Sequence, residues 1–373
     1  MKFSCDRTLL LAGLTNAARA AAAKSTIPAL EGLLLSAEGD TLTITGYNLK
    51  TGVRTRIPAD ISEEGSIVLN ARLFGDIVRK MSDSFLKLDT DTSMLVKLFC
   101  GRSAFEIMGS NAEDFPELPA VEEENTFRIQ EGKLKSMIDQ TLFAVSTNES
   151  RPVHTGSLFE AEGTELTVVS VDGFRLALRR EALEEDAGPQ RISFVVPAAA
   201  LTEVGRIAAA DGEDSATIHL GSRHILFAIG DSEVISRKLE GEFLDYRKSI
   251  GNISKYDLLF QRRELLDAFE RVSLIISEKY KSPVRCLFGD GFVTLTSATA
   301  LGKATDECPM KGNAENLEIG FNNRFMLDAL RAAPVDELKL QLSSGSSPCV
   351  IVPGDGSDRF LYLVLPVRIR SEA

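Results

Sequence analysis

Histidine and cysteine are scarce in this chain. Three histidines and five cysteines are spread over 373 residues. No two of Cys5, Cys100, Cys286, Cys308 and Cys349 form a CxxC pair, so the expectation is reduced thiols rather than a disulfide framework. His219 and His224 flank a turn at Leu220-Gly221-Ser222-Arg223, which is not a familiar metal-ligand spacing, and no cysteine is near them in sequence. No metal or other cofactor is expected. No apolar stretch approaches the ~20 residues that span a bilayer. The opening Met1-Lys2-Phe3-Ser4-Cys5-Asp6 has no long apolar run of the signal-peptide kind. These two absences set an expectation of a cytoplasmic chain with no membrane partner.

Catalytic motifs are missing too. Gly302-Lys303 is followed by Ala304 where a phosphate loop needs Ser or Thr, and Ser297 stands where its first glycine belongs. Gly354-Asp355-Gly356 begins like GxGxxG, but Arg359 occupies the third glycine position, which favours a plain loop. There is no HExxH, no GxSxG, and no cysteine near a histidine in sequence. This lowers the weight of an enzyme reading without excluding it, because active sites assemble from distant segments.

Basic charge is also short, with 42 Lys and Arg against 54 Asp and Glu, a net of −12. Such a balance argues against nonspecific phosphate binding by the chain as a whole. Its distribution softens that conclusion. Six helical windows (6–24, 70–80, 130–145, 197–209, 261–273 and 322–331) carry +5 together, and the rest carries −17. A surface built from those helices would be far less acidic than the remainder. Helices that are simply charge-balanced would give the same numbers.

What the chain does have is a repeat. Residues 66–79, 193–206 and 318–331 each read as a short apolar strand running directly into an amphipathic helix. They lie 127 and 125 residues apart. Each places an acid at one position (Asp76, Glu203, Asp328) and an arginine three residues later (Arg79, Arg206, Arg331). A second strand–helix pair recurs around Phe3, Phe127 and Leu258. Its stripe starts at Leu10, Leu134 and Leu265 and continues at Leu14, Ile138 and Phe269. A period near one third of the chain implies three similar domains. They are placed at 1–120, 127–250 and 251–373, with the acidic stretch Val121–Asn125 as a linker.

Within the first domain the pattern predicts a helix over about 7–23 that includes the alanine run Ala20–Ala23. Hairpins are predicted around Glu38-Gly39-Asp40, Glu162-Gly163-Thr164 and Gly289-Asp290-Gly291. Each domain thus reads as two helices packed on about eight short antiparallel strands, an α+β arrangement. Two further segments stand out: Val171-Asp172-Gly173-Phe174-Arg175-Leu176, at a strand end, and the proline-bearing Leu363-Val364-Leu365-Pro366-Val367-Arg368. An exposed apolar tail that cannot extend a helix is a candidate wall for a peptide groove. A plain turn and a last core strand account for the same residues.

The chain closely resembles the bacterial sliding clamps, the beta subunits of DNA polymerase III. The resemblance runs the whole length through Met1-Lys2-Phe3, Ile27-Pro28-Ala29-Leu30, Asp114-Phe115-Pro116, Leu158-Phe159-Glu160, Asp172-Gly173-Phe174-Arg175-Leu176, Asp245-Tyr246-Arg247, Ser277-Glu278-Lys279 and Leu365-Pro366-Val367-Arg368. It implies three domains of the DNA clamp fold and a head-to-tail homodimer that closes into a ring around double-stranded DNA. DNA binding would be topological and sequence-independent, and the chain a non-enzymatic processivity factor. Implied partners are the polymerase III alpha subunit, the clamp loader and repair polymerases. Lys24, by its family position, and Arg72 and Arg324, by helix placement, are the candidate phosphate contacts.

The family's peptide cleft maps onto His154, Val171, Gly173, Phe174, Arg175, Leu176, Leu244, Ser249, Leu363, Leu365, Pro366, Val367 and Arg368. In that mapping Leu176, Leu365 and Val367 bury partner anchors, while Arg175 and Arg368 form the polar rim. His154, Leu244 and Ser249 depart from the aliphatic, proline and aliphatic residues usual there, and the chain continues past Arg368. The dimer contacts implied are Phe105 on one subunit against Leu274 and Ile275 on the other. Two other readings stay open at this point: an enzyme with its site between domains, and a peptide-binding scaffold unrelated to DNA.

Overall fold

The structure is a computed structural model that describes residues 1–122, 124–251 and 254–369. Glu123 of the predicted linker and the tail 370–373 lie outside the described residues. The first third contains β1 (Lys2–Asp6), α1 (Arg7–Ala18), β2 (Gly32–Glu38), β3 (Thr41–Tyr47), β4 (Thr51–Pro58), β5 (Asp60–Glu63), β6 (Gly65–Asn70), α2 (Ala71–Lys80), β7 (Phe85–Thr90), β8 (Leu95–Cys100) and β9 (Ser103–Met108). The middle third contains β10 (Asn125–Gln130), α3 (Glu131–Asp139), β11 (Gly156–Glu162), β12 (Glu165–Val171), β13 (Arg175–Ala182), β14 (Ile192–Pro197), α4 (Ala198–Ile207), β15 (Ser215–Leu220), β16 (His224–Ile229), β17 (Ser232–Arg237) and the one-turn α5 (Tyr246–Ser249). The last third contains β18 (Tyr256–Gln261), α6 (Arg262–Ser273), β19 (Val284–Thr299), β20 (Gly302–Phe321), α7 (Asn323–Ala332), β21 (Glu337–Leu342), β22 (Cys349–Pro353) and β23 (Phe360–Val364).

These elements fall into two compact units. One holds Met1–Lys135 with Ala199–Lys238, the other Ser136–Ala198 with Leu239–Ala373. The first unit carries a five-stranded sheet, β5-β1-β7-β8-β9, and an eight-stranded sheet, β10-β15-β16-β17-β4-β3-β2-β6. The second carries one ten-stranded sheet, β14-β11-β12-β13-β23-β22-β21-β18-β20-β19. The middle third therefore contributes to both units. Its β17 pairs with β4 through Ser232–Ser236 against Thr51–Thr55, and its β13 pairs with β23 through Arg175–Arg179 against Phe360–Val364.

The repeated strand-to-helix junction has a local cause. Asn70 ends β6 and caps α2, its Oδ1 accepting from the Leu73 amide at 3.0 Å, and Asn322 caps α7 by accepting from Arg324 N at 3.0 Å. Asp6 does the same for α1, accepting from Thr8 N and Leu9 N. An Asx side chain satisfies amides that the helix start leaves unpaired, so the strand can enter the helix without a loop. At α4 the strand instead ends in Pro197, which pairs with Gly156 in the sheet, and the helix begins at the next residue, Ala198. The predicted stripes face inward: Leu10, Leu14, Leu134, Ile138, Leu265 and Phe269 are all buried. Cores form around Leu10, Leu14 and Phe74 in the first unit and around Leu265, Phe269 and Leu330 in the second.

Three expectations fail for identifiable reasons. Helix α1 stops at Ala18, short of the alanine run, although alanine has the highest helix propensity. Gly46 packs directly on the Ala17 carbonyl, and the Ala22 amide bonds to the Leu30 carbonyl, so tertiary contacts take the backbone elsewhere. Gly289-Asp290-Gly291 is not a hairpin turn. It is a double register shift within β19, with Gly291 at φ +79 absorbing the bulge, and the turn to β20 comes after Thr299. Among the described residues the last third has six strands rather than about eight, because β19 and β20 run 16 and 20 residues. The hairpins at Gly39 and Gly163 form as predicted, both glycines having positive φ. All five cysteines are buried free thiols. Among the described residues no helix is long and apolar enough to cross a membrane.

Candidate peptide cleft

Strand register places four predicted or neighbouring apolar residues in one row. Val171 of β12 faces Leu176 of β13, Leu176 faces Leu363 of β23, and Leu363 faces Val350 of β22. Two residues along, on the same face, Val169, Leu178 and Leu361 repeat the row. Residues opposite one another across antiparallel strands have Cβ atoms about 5 Å apart, so these side chains make a continuous apolar floor. The floor crosses the β13–β23 junction and continues to Leu158 and Val195.

The segment before and through α5 lies on this floor. Tyr246, 3% exposed, packs into it, with Phe243, Ile250 and Leu365 partly buried at its margins. Tyr246 donates from its hydroxyl to Glu160 Oε2 at 2.6 Å, and Arg247 Nη2 donates to the same oxygen at 2.6 Å. Burial pushes the Glu160 carboxyl up, but the hydrogen bonds from Arg247 and Tyr246 outweigh it and hold the group below the ordinary glutamate range. Burial and the Glu160 hydrogen bond together push the Tyr246 phenol well up. His154 meets Phe243 edge-on, ring centroids 5.3 Å apart, and burial followed by the charge of Arg151 lowers its pKa, favouring the neutral imidazole. Leu244 is exposed, and Ser249 lines a 340 Å³ recess with Lys248, Gln341 and Val350.

The turn between β12 and β13 forms the other margin. Asp172 Oδ1 accepts from Phe174 N and Arg175 N, both at 2.9 Å, and Gly173 sits at φ +90, a left-handed conformation suited to glycine. Phe174 is 63% exposed and its carbonyl accepts from Leu365 N at 2.9 Å, which ties the turn to the C-terminal segment.

Two of the predicted residues behave differently from their assigned roles. Arg175 is not on the rim. Alternation along β13 sends it to the face opposite Leu176, where it is 8% exposed. There its Nε donates to Asp172 and its Nη1 to Asp328 of α7, with the guanidinium 4.5 Å from the Phe325 ring centroid. Val367 bridges Gly320 through its backbone and lines a separate cavity of about 520 Å³ with Ile276, Pro283 and Arg324. It does not join Leu176 and Leu365 in the apolar floor. Pro366 is partly buried beside it, and Arg368 is exposed.

Sequence reasoning named Tyr246 and Arg247 as family residues but missed their bond to Glu160. It also passed over Asp328. The signal was present in the repeated acid–arginine pair. Asp76 binds Arg79 and Glu203 binds Arg206 within their own helices, whereas Arg331 turns to Glu270 and leaves Asp328 to Arg175.

The candidate phosphate contacts are all exposed. Lys24 lies in the irregular segment after α1 rather than on a helix. Arg72 starts α2, 94% exposed, beside a groove of about 510 Å³ lined by Ala22, Ala23, Arg79 and residues of α1. Arg324 starts α7 and is 77% exposed. Of the implied dimer contacts, Phe105 is 40% exposed on β9, the free edge of the five-stranded sheet. Leu274 is 83% exposed at the end of α6, and Ile275 is partly buried next to it.

Sequence models of the N-terminal, central and C-terminal domains of the DNA polymerase III beta subunit match residues 1–119, 128–245 and 252–368. The chain belongs to the DNA polymerase III beta subunit family. The beta sliding clamp of Halalkalibacterium halodurans is 32% identical over 99% of this chain and 100% of its own length. That of Staphylococcus aureus is 30% identical over 99% of each. Among solved structures, the Bacillus subtilis sliding clamp superposes with a TM-score of 0.94 at 29% identity, covering 99% of this chain and 100% of that one. A Pseudomonas aeruginosa clamp bound to griselimycin gives 0.93 at 28% identity and the same coverage. The fold is thus three clamp domains, and the chain is a sliding clamp, a processivity factor with no catalytic activity of its own.

Proposed function

We propose that this clamp tethers the replicative polymerase and repair proteins to DNA by seating their linear peptides on the floor Val171–Leu176–Leu363–Leu365, with Phe174, His154, Leu244 and Ser249 at its margins. The observation that carries this is the register-aligned apolar row across β12, β13, β23 and β22, covered by Tyr246 and bordered by the exposed Leu244 and Phe174. Burying one leucine or phenylalanine anchor there contributes about 1.5–3 kcal/mol, which suits exchangeable partners. A homodimer closes around duplex DNA, with Lys24, Arg72 and Arg324 making sequence-independent phosphate contacts. β9 and β19 support head-to-tail pairing, since each is the outermost strand of its sheet among the described residues and carries exposed apolar side chains (Phe105; Leu287 and Phe292). Leu274 and Ile275 join the second of these surfaces. The domains are assigned to 1–120, 127–250 and 251–373, and the chain works in the bacterial cytoplasm, where its DNA is.

The test is retention on plasmid after loading by a clamp loader. Retention on circles with loss after linearisation is the expected result. Equal loss from both, by a folded dimer that the loader engages, would refute topological tethering.

A further inference from the structure

The first two turns of α7 touch the cleft turn at three places. Arg175 forks between Asp172 of the turn and Asp328 of the helix, at 2.9 and 2.6 Å. Its guanidinium lies over Phe325, and Phe174 stacks on the same ring with centroids 6.3 Å apart. The Asp328 oxygen that binds Arg175, Oδ2, is also the one that faces Arg324, 3.9 Å from its Nε. One carboxylate oxygen thus serves two cations. One of them is buried at the cleft and the other reaches into solvent from the helix start.

We infer that Asp328 is a positioning residue of the peptide cleft, and that it makes peptide affinity depend on what Arg324 binds. The inference rests on reading Arg324 as a phosphate contact. Two cations on one oxygen compete for its charge. A phosphate that draws Arg324 away leaves Asp328 wholly to Arg175. The Arg175 fork then holds the Asp172–Phe174 turn, and through the Phe174 carbonyl the Leu365 strand end, more tightly in place. A cleft ordered before the peptide arrives loses less conformational freedom on binding. The sign follows: duplex DNA at Arg324 strengthens peptide binding, by about fivefold at the lower end of measured site-to-site couplings. Linkage requires that peptide strengthen duplex binding by the same factor.

The experiment titrates a short fluorescent peptide with Gln, Leu and Phe anchors into the full-length homodimer, with and without saturating short duplex DNA at low salt. The same proteins are titrated with labelled duplex alone. Wild type is expected to bind peptide about fivefold more tightly with duplex present. Arg324→Ala should bind duplex more weakly, bind peptide tightly without DNA, and show no response to it. Asp328→Asn keeps an acceptor for Arg175 but removes the shared charge, so its peptide affinity should be indifferent to DNA. A role in folding alone would not alter the ratio of the two affinities. Equal peptide affinity with and without duplex in wild type, with duplex binding still weakened in Arg324→Ala, overturns the coupling and leaves the phosphate contact standing. Unchanged duplex binding in Arg324→Ala overturns the phosphate contact, and the coupling with it. A full response retained in Asp328→Asn rules out Asp328 as the link.

Discussion

Removing the Glu160 carboxylate should loosen the segment that borders the cleft while leaving the sheets beneath it intact. The Tyr246 hydroxyl is buried and, among the described residues, hydrogen-bonds to Glu160 Oε2 alone, whereas Arg247 is half exposed. In Glu160→Ala the hydroxyl is left without a partner, which costs about 1–3 kcal/mol. The lost Arg247 pair adds at most about 1 kcal/mol because water screens it. A central value near 2 kcal/mol corresponds to roughly a 30-fold rise in local opening. Glu160→Gln keeps an acceptor for the phenol and should cost about 1 kcal/mol or less, through the half-exposed ion pair. Hydrogen exchange on peptides covering 239–250 reads this directly, since the Ile250 amide is bonded to the Tyr246 carbonyl at 3.1 Å. The pH dependence has a definite sign. Because the folded pKa lies below the ordinary 4.5, the stabilisation is complete above that pH and is lost as pH falls through the lowered value. Glu160→Gln should flatten that acid limb. Unchanged protection in Glu160→Ala, or equal damage from Ala and Gln, would refute the argument that the buried phenol carries the cost.

Leu365→Ala combined with Arg368→Ala should weaken polymerase-peptide binding by at least tenfold without altering the dimer, from the loss of one apolar anchor site; unchanged peptide affinity by fluorescence anisotropy would remove the cleft assignment. Phe105→Asp should give monomers by light scattering, because a charge would be buried at the β9 edge; a persisting dimer rejects that interface. His154, held neutral by burial and by Arg151, contributes stability that is full above its ordinary 6.5 and falls as pH drops below it. His154→Leu should therefore remove a loss of folding stability as pH falls below 6.5, read by denaturant unfolding at several pH values; a variant that keeps that loss places the titration elsewhere.

Much of the local structure was legible because its causes are local. Asn70 and Asn322 cap helices that follow their strands directly, and Leu10, Leu134 and Leu265 recur on inward faces. The alanine run was misread because propensity describes a helix in isolation, and Gly46 on the Ala17 carbonyl is a long-range contact. Gly289 to Gly291 was misread because a bulge and a hairpin demand the same left-handed residue, and only the partner strand tells them apart. At the cleft, the residue types could be read one by one, but their alignment could not. Leu176 and Leu363 are 187 positions apart in the chain and meet only through strand register. Arg175 and Leu176 are adjacent in sequence yet serve opposite faces of the sheet, a distinction that depends on where β13 begins.

The joints where β4 meets β17 and β13 meets β23 are each written in five consecutive pairs of main-chain partners. Amide and carbonyl groups are common to nearly every residue type, so mutation cannot delete such a joint as it deletes a salt bridge. Side chains on either flank are free to drift so long as they remain able to lie in a strand. A lineage can therefore rewrite most of its surface and much of its interior while inheriting the same joints. Substitution to proline at these ten-residue seams is the change that such a lineage should be least able to accept.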